Sequence, residues 1–290
     1  MPLAHEGPGA EQESARLASI TVATLQPSLA RLDRDANFEA IRRMVHEVAA
    51  RQPVDLIVLP EALDGEGPDV DGPGVSEATS SDVRQFIVEL ATSAGAGVVG
   101  GSVAHRHGDG PITNTCLLAD RTGRIVGEYA KRKLFATEAD TRTAGRTPGI
   151  FDLSGLRVGV LICADLWYPE LARELCGRVD VLCVPAKTTV PSAESVPYAR
   201  TVWWSLAMTR AVENALPVVV SDWCEQAHAT GFTSGATSVN DPAGRPDPTR
   251  LQRRMDDGQP GVLIAQIDLD AVAEIRQYRR AVGLLARKGE

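Results

Sequence analysis

Apolar positions along the chain switch repeatedly between a period of two and a period near 3.6, the marks of strand and helix. Ile20, Val22 and Leu25 open an apolar strand, and Phe38, Ile41, Met44, Val45 and Val48 then fall on one face of a helix predicted over 35–51. A strand follows at 54–59. A second helix, with Ser80 or Ser81 as its N-cap, carries Val83, Phe86 and Leu90 on its apolar side. Strands at 97–104, 115–119 and 125–130 come next without helices between them, the last two joined by the turn residues 121–124. The apolar run at 156–162 is nearly continuous, which suits a strand buried on both faces. A helix at 167–176, a strand at 179–184, a long helix at 198–215 and strands at 217–221, 235–240 and 262–268 complete the pattern.

No internal repeat and no Pro- or Gly-rich linker divides this alternation. Residues 17–290 therefore read as one α/β domain with mixed sheets, helices covering the sheet faces. Residues 1–16 are rich in Gly, Pro, Glu and Ser with no apolar period, the composition of a disordered extension.

Charge narrows the partners. The 290 residues carry 38 acidic and 30 basic side chains, net −8, with no run of five or six Lys and Arg, so nucleic acid is not an expected partner. No apolar stretch approaches the ~18 residues needed to cross a bilayer. The N-terminus has neither a basic start nor an apolar core of the secretory kind, and membrane association is not expected. The five cysteines, at 116, 163, 176, 183 and 224, form no C-x-x-C pair and are odd in number. Reduced thiols and a cytoplasmic location are the simplest expectation, with no structural zinc.

In α/β sheets ligands bind beyond the carboxyl ends of strands, so polar residues there merit inspection. Glu61 follows one apolar strand, Lys131 ends another, and Cys163 ends the run at 157–162 and enters a turn leading to a helix. Helix-terminal N–H groups at such a turn are expected to lower the thiol's pKa and to hold an oxyanion. Taken singly, a charged strand end is usually just solvated and a cysteine in an apolar run is usually a small core residue. Together the three supply a nucleophile, a proton acceptor and a cation for a tetrahedral intermediate.

Three segments carry a family resemblance: Leu59-Pro-Glu61-Ala, Tyr129-Ala-Lys131-Arg-Lys-Leu-Phe135 and Gly159-Val-Leu-Ile-Cys163-Ala-Asp-Leu-Trp-Tyr-Pro-Glu170. Arg210-Ala-Val-Glu-Asn214 and Gly235-Ala-Thr-Ser-Val-Asn-Asp-Pro-Ala-Gly244 follow in order. This ordered set, spanning about 18–275, resembles the nitrilase superfamily of carbon–nitrogen hydrolases, on its amidase or carbamoylase side. The resemblance implies a four-layer α-β-β-α sandwich, commonly assembled into dimers or larger even-numbered homo-oligomers. It implies Glu61 as general base, Lys131 as oxyanion stabiliser, Cys163 as nucleophile and the backbone N–H of Ala164 as a second oxyanion donor. Glu138, with Gly145 behind it, reproduces the spacing of an auxiliary glutamate. Register favours Lys131 over Lys133 as the catalytic lysine. No metal or organic cofactor is implied.

The expected substrate is a small amide or N-carbamoyl amine, cleaved by water through a thioester. True nitrilases usually carry Trp-Glu after the nucleophile, where this chain has Ala164-Asp165, which disfavours nitriles. Nitrile hydrolysis or acyl transfer to an amine on the same site, and a non-catalytic binding protein on this fold, are the alternatives. A papain-like reading lacks a histidine in a partner motif, a His105/His107 metal site lacks a third ligand, and no G-x-G-x-x-G supports a dinucleotide fold. Lys187, emerging beside Cys163, and the aromatic residues Trp167, Tyr168, Trp203 and Trp204 are candidates to line the pocket.

Overall fold

A computed structural model describes residues 17–31, 33–65, 77–106, 108–229, 231–244 and 247–285, with the backbone alone for 77–80. The extension expected over 1–16 and His107 lie outside the described residues.

Two mixed sheets form the centre. In the first, Gly261–Asp268, Ser19–Gln26, Leu56–Val58, Gly97–Val99, Ile112–Ala119 and Val103–Arg106 lie side by side, and Ile125–Ala130 also pairs with Ile112–Ala119. The second runs Gln252–Arg254, Ser238–Asn240, Val218–Ser221, Val181–Pro185, Leu156–Val160 and Gly149–Leu153. Each sheet has parallel pairing at its centre, Leu56–Val58 between its neighbours in one and Val181–Pro185 in the other, with antiparallel strands flanking.

The period of two in the sequence sorts side chains onto the two faces of the first sheet. Ile20, Val22, Leu56, Val58, Cys116 and Leu118 point into a core shared with Val158, Val160 and Val181 of the second sheet. Their neighbours Ala23, Leu25, Ile57, Leu117 and Ala119 face the other way, onto helices Arg34–Arg51 and Glu77–Ala94. Phe38 and Phe86 stack between those helices with ring centroids 3.9 Å apart. Helices Pro169–Leu175 and Val196–Asn214 cover the second sheet through Leu171, Leu175, Trp203 and Ala207. The order is helix, sheet, sheet, helix, with each buried Val, Leu or Ile contributing about 1.5–3 kcal/mol.

Several elements differ from the sequence pattern. The second helix begins at Glu77, ahead of the expected Ser80 or Ser81. The strand expected at 97–104 breaks into two because Gly101 turns at φ +64°, where a Cβ would lie 2.2 Å from the Pro60 carbonyl oxygen. The helix expected at 167–176 is a 3-10 turn, Cys163–Trp167, followed by Pro169–Leu175. Pro169 forces this break, since Tyr168 before it is held extended at φ −97°, ψ 100°. A C-terminal helix, Leu269–Ala281, is started by the Asp268 side chain accepting from Ala271 N–H at 2.9 Å. Val272, Ile275 and Leu285 are buried within the chain itself, whereas Val282 and Leu284 are exposed. No helix among the described residues is long and apolar enough to cross a membrane.

Candidate active site

Strand ends from both sheets meet at one place. Glu61 lies just past Leu56–Val58, Lys131 directly follows Ile125–Ala130, and Cys163 opens the 3-10 turn after Leu156–Val160. Cys163 has φ +46°, a left-handed conformation that a non-glycine residue adopts only where its surroundings hold it. Ala164 follows in the first turn of that helix, where backbone N–H groups lack partners within the helix.

Lys131 and its carboxylates form the polar centre. Its Nζ donates to Glu61 Oε1 at 2.8 Å and to Glu138 Oε2 at 2.7 Å. Asn114 Nδ2 donates to both glutamates, at 2.9 Å to Glu61 and 2.8 Å to Glu138. Arg142 Nη1 and the Phe135 N–H complete the Glu138 carboxylate at 3.0 and 2.7 Å. Lys131 and Glu61 are buried, at 2% and 4% exposure, which an unpaired charge could not tolerate. Burial favours the neutral amine at Lys131, but the nearby charges of Glu61 and Glu138 outweigh it, and its pKa is raised. Burial likewise opposes the Glu138 carboxylate, yet Lys131 holds its pKa below the ordinary range. Both therefore stay charged.

The thiol differs from the sequence expectation. Burial, then the neighbouring Glu61 charge, push Cys163 well above the usual thiol value, and Lys131 only partly opposes this. The helix-terminal groups expected to lower it are outweighed because the sulfur is almost wholly desolvated. Its Sγ donates to the Lys187 carbonyl at 3.8 Å. The resting group is a thiol with a carboxylate beside it.

Asp165 joins the turn to the lysine strand. Its carboxylate accepts from Ile162 N–H at 3.0 Å, Tyr129 Oη at 2.8 Å, Arg132 N–H at 3.1 Å and Lys133 N–H at 2.7 Å. Lys133 thus contributes its backbone here, while its Nζ lies 4.3 Å from the centre of the exposed Tyr168 ring.

A cavity of about 210 Å³ opens onto Cys163 and Ala164. Phe135, Trp167, Tyr198, Val202 and Trp203 make it largely apolar, and Lys187, Thr188 and Thr189 form one polar wall. Trp167 and Trp203 meet edge to face at 6.2 Å. Of the aromatic candidates, Tyr168 and Trp204 do not line it: Trp204 packs against Arg200 and Arg254 instead. The Lys187 Nζ stands 4.5 Å from the centre of the Trp223 ring. Among the described residues no group of three His, Cys, Asp or Glu could hold a metal ion.

Asn114, Arg142, Tyr198 and Trp223 were not singled out from the sequence. Asn114 left one faint signal, an amide inside the apolar strand Ile112–Ala119. Trp223 matters because its Nε1 donates to the Glu61 carbonyl at 2.7 Å, a contact 162 residues away in the chain.

Comparison with known proteins identifies the family. The model of the carbon-nitrogen hydrolase family matches residues 21–277. A 2-oxoglutaramate amidase of Bacillus subtilis is 31% identical over 231 residues, 77% of this chain and 82% of the relative. An omega-amidase of Bos taurus is 27% identical, covering 79% and 82% of the two chains. Among solved structures, Nit3 of Saccharomyces cerevisiae, a nitrilase superfamily member, superposes with a TM-score of 0.76 at 23% identity, covering 90% and 94%. An amidase from Nesterenkonia sp. gives 0.73 at 23% identity, covering 91% and 96%. With the family model matching residues 21–277 and the fold shared with these structures, the chain belongs to the carbon–nitrogen hydrolase family.

Proposed function

We propose that this enzyme hydrolyses a small carboxylic amide through a thioester on Cys163, with Glu61 as proton carrier and Lys131 as the cation that stabilises the oxyanion. The observation that carries the reading is the Lys131 ammonium held between Glu61 and Glu138, beside a thiol that opens onto a cavity. As the sulfur attacks the amide carbon, its proton passes to Glu61, and the carbonyl oxygen becomes an oxyanion. An ammonium has three N–H donors; two go to Glu61 and Glu138, and the third serves that oxyanion together with Ala164 N–H. Glu61 then gives its proton to the departing amine, leaving a thioester. A water loses a proton to Glu61, adds to the thioester carbon and releases the acid and the thiol.

Glu138 keeps Lys131 charged and in place. The raised thiol pKa agrees with a proton that leaves only during attack, since a free thiolate beside Glu61 would add a second buried negative charge.

The cavity supports an acyl chain with an apolar body and an acidic end. Among the described residues that line the cavity Lys187 is the single cation and there is no carboxylate, and an ammonium beside apolar walls favours an anion. The Bacillus subtilis relative, named for 2-oxoglutaramate, points the same way. We also propose an even-numbered homo-oligomer and a cytoplasmic setting.

The test is ammonia release from a panel of small amides, N-carbamoyl amines and nitriles. Amides, acidic ones foremost, are expected to be turned over, and Cys163→Ala or Cys163→Ser is expected to fall to background with an unchanged thermal unfolding curve. Near-normal release by either variant would remove Cys163 from the mechanism.

A further inference from the structure

Asp222 is a buried carboxylate that the mechanism above does not use. It follows the strand Val218–Ser221 and is fully enclosed. Among the described residues no cation forms an ion pair with it; four hydrogen-bond donors surround it instead. Oδ1 accepts from Thr188 N–H at 2.9 Å and from Trp223 N–H at 2.9 Å. Oδ2 accepts from Thr188 Oγ1 at 2.5 Å and from Ala236 N–H at 2.8 Å. Burying a charge without a counter-ion is costly, and these donors compensate it. Burial pushes the carboxyl up to about 6 while the same donors oppose it.

The donors lead to the two reacting groups. Thr188 follows Lys187, whose carbonyl accepts from the Cys163 thiol at 3.8 Å. Trp223 carries the indole N–H that holds the Glu61 carbonyl at 2.7 Å. Glu61 N–H is held in turn by the Ala186 carbonyl at 3.1 Å, on the same segment as Thr188. One carboxylate thus fixes the segment against the nucleophile and the ring against the base, although nucleophile and base follow strands of different sheets. The Ser221 hydroxyl reinforces this junction by donating to the Leu25 carbonyl at 2.6 Å.

We infer that Asp222 is a positioning residue that sets the spacing of Cys163 and Glu61 through Thr188 and Trp223. The inference rests on the catalytic assignment proposed above. An amide at this position offers one acceptor oxygen and turns an NH2 toward N–H donors, so Asp222→Asn breaks the arrangement with little change in size. Thr188→Val removes the hydroxyl, which bonds Asp222 and also the Ser234 hydroxyl, without changing shape, and Thr188→Ser keeps it.

The test uses the full-length enzyme and two readings: steady-state kinetics on the best amide of the panel, and the rate at which iodoacetamide alkylates the Cys163 peptide. Folded Asp222→Asn is expected to lose kcat on the order of 100-fold, the scale of an ångström of misplacement, with KM near wild type. Its alkylation is expected to slow as well, because the carboxylate that takes the thiol proton is no longer in register. Thr188→Val should follow in the same direction to a smaller extent, and Thr188→Ser should restore both readings. A folded Asp222→Asn enzyme with wild-type kcat, with its loss confined to KM, or with unchanged alkylation would overturn the inference. If Asp222→Asn does not fold, Thr188→Val decides by the same two readings. Cys163→Ala, run alongside, separates the outcomes: activity there defeats the catalytic assignment, whereas its inactivity beside a normal Asp222→Asn defeats only the role of Asp222.

Discussion

Lys187 joins the cavity to the ring that steadies Glu61, since its ammonium stacks on Trp223 while its carbonyl receives the Cys163 thiol. Replacement by Met keeps the length of the side chain and removes the charge, so it isolates the electrostatic contribution. Lys187→Met is expected to lower kcat/KM about tenfold or more for an amide bearing a carboxylate and to leave its neutral analogue nearly unchanged, a difference of ~1.4 kcal/mol or more in transition-state stabilisation. Equal losses on both substrates would mean that the ammonium does not read charge. At this scale the sequence was informative where a residue type is rare in its surroundings. Glu61, Lys131 and Cys163 stood out as polar groups at apolar strand ends, and the structure brings them together. Asn114 and Trp223 did not stand out, because their roles come from partners 53 and 162 residues away.

At the scale of elements, the end of the strand Ile125–Ala130 decides which lysine enters the site. Lys131 N–H donates to the Asn114 carbonyl and Gly145 N–H to the Lys131 carbonyl, both at 2.8 Å, which turns the Lys131 side chain inward. Two residues on, Lys133 has left the sheet and lies against exposed Tyr168. Lys131→Ala is expected to cost about 10²–10³-fold in kcat, as for loss of an oxyanion donor, and Lys133→Ala to retain near-normal turnover. The first variant also leaves two buried carboxylates without their cation, so a drop in the thermal midpoint should accompany its loss of rate. Activity retained by Lys131→Ala and lost by Lys133→Ala would reverse the register. Long apolar elements were legible in the sequence: helices Arg34–Arg51 and Val196–Asn214 lie within two residues of their predicted bounds. The strands Gln252–Arg254 and Gly149–Leu153 were not, since they border the second sheet and lack an apolar run that marks them.

For the whole molecule, two sheets with their helices on the outside give a site whose halves belong to different sheets. Catalysis on this plan requires that the sheets keep their registration, and the shared core of Ile20, Val22, Val58, Val158 and Val181 provides it. The outer surface still carries exposed Val212, Tyr278, Val282 and Leu284 on and beside the last two long helices. Light scattering is expected to report twice the 30.9 kDa chain mass or a higher even multiple, and a monomer at micromolar concentration would contradict that assembly.

The central claim is a covalent acyl-enzyme on Cys163, and intact-mass spectrometry of acid-quenched turnover reads it directly. With the best amide in excess, the wild-type mass is expected to rise by the acyl group, that is, by the substrate mass less the departing amine. Peptide mapping should place the increment on the segment containing Cys163, and Cys163→Ser should show no thioester there. Turnover with an unmodified chain under every quench time, or an adduct on Cys176 or Cys224 alone, would contradict the mechanism.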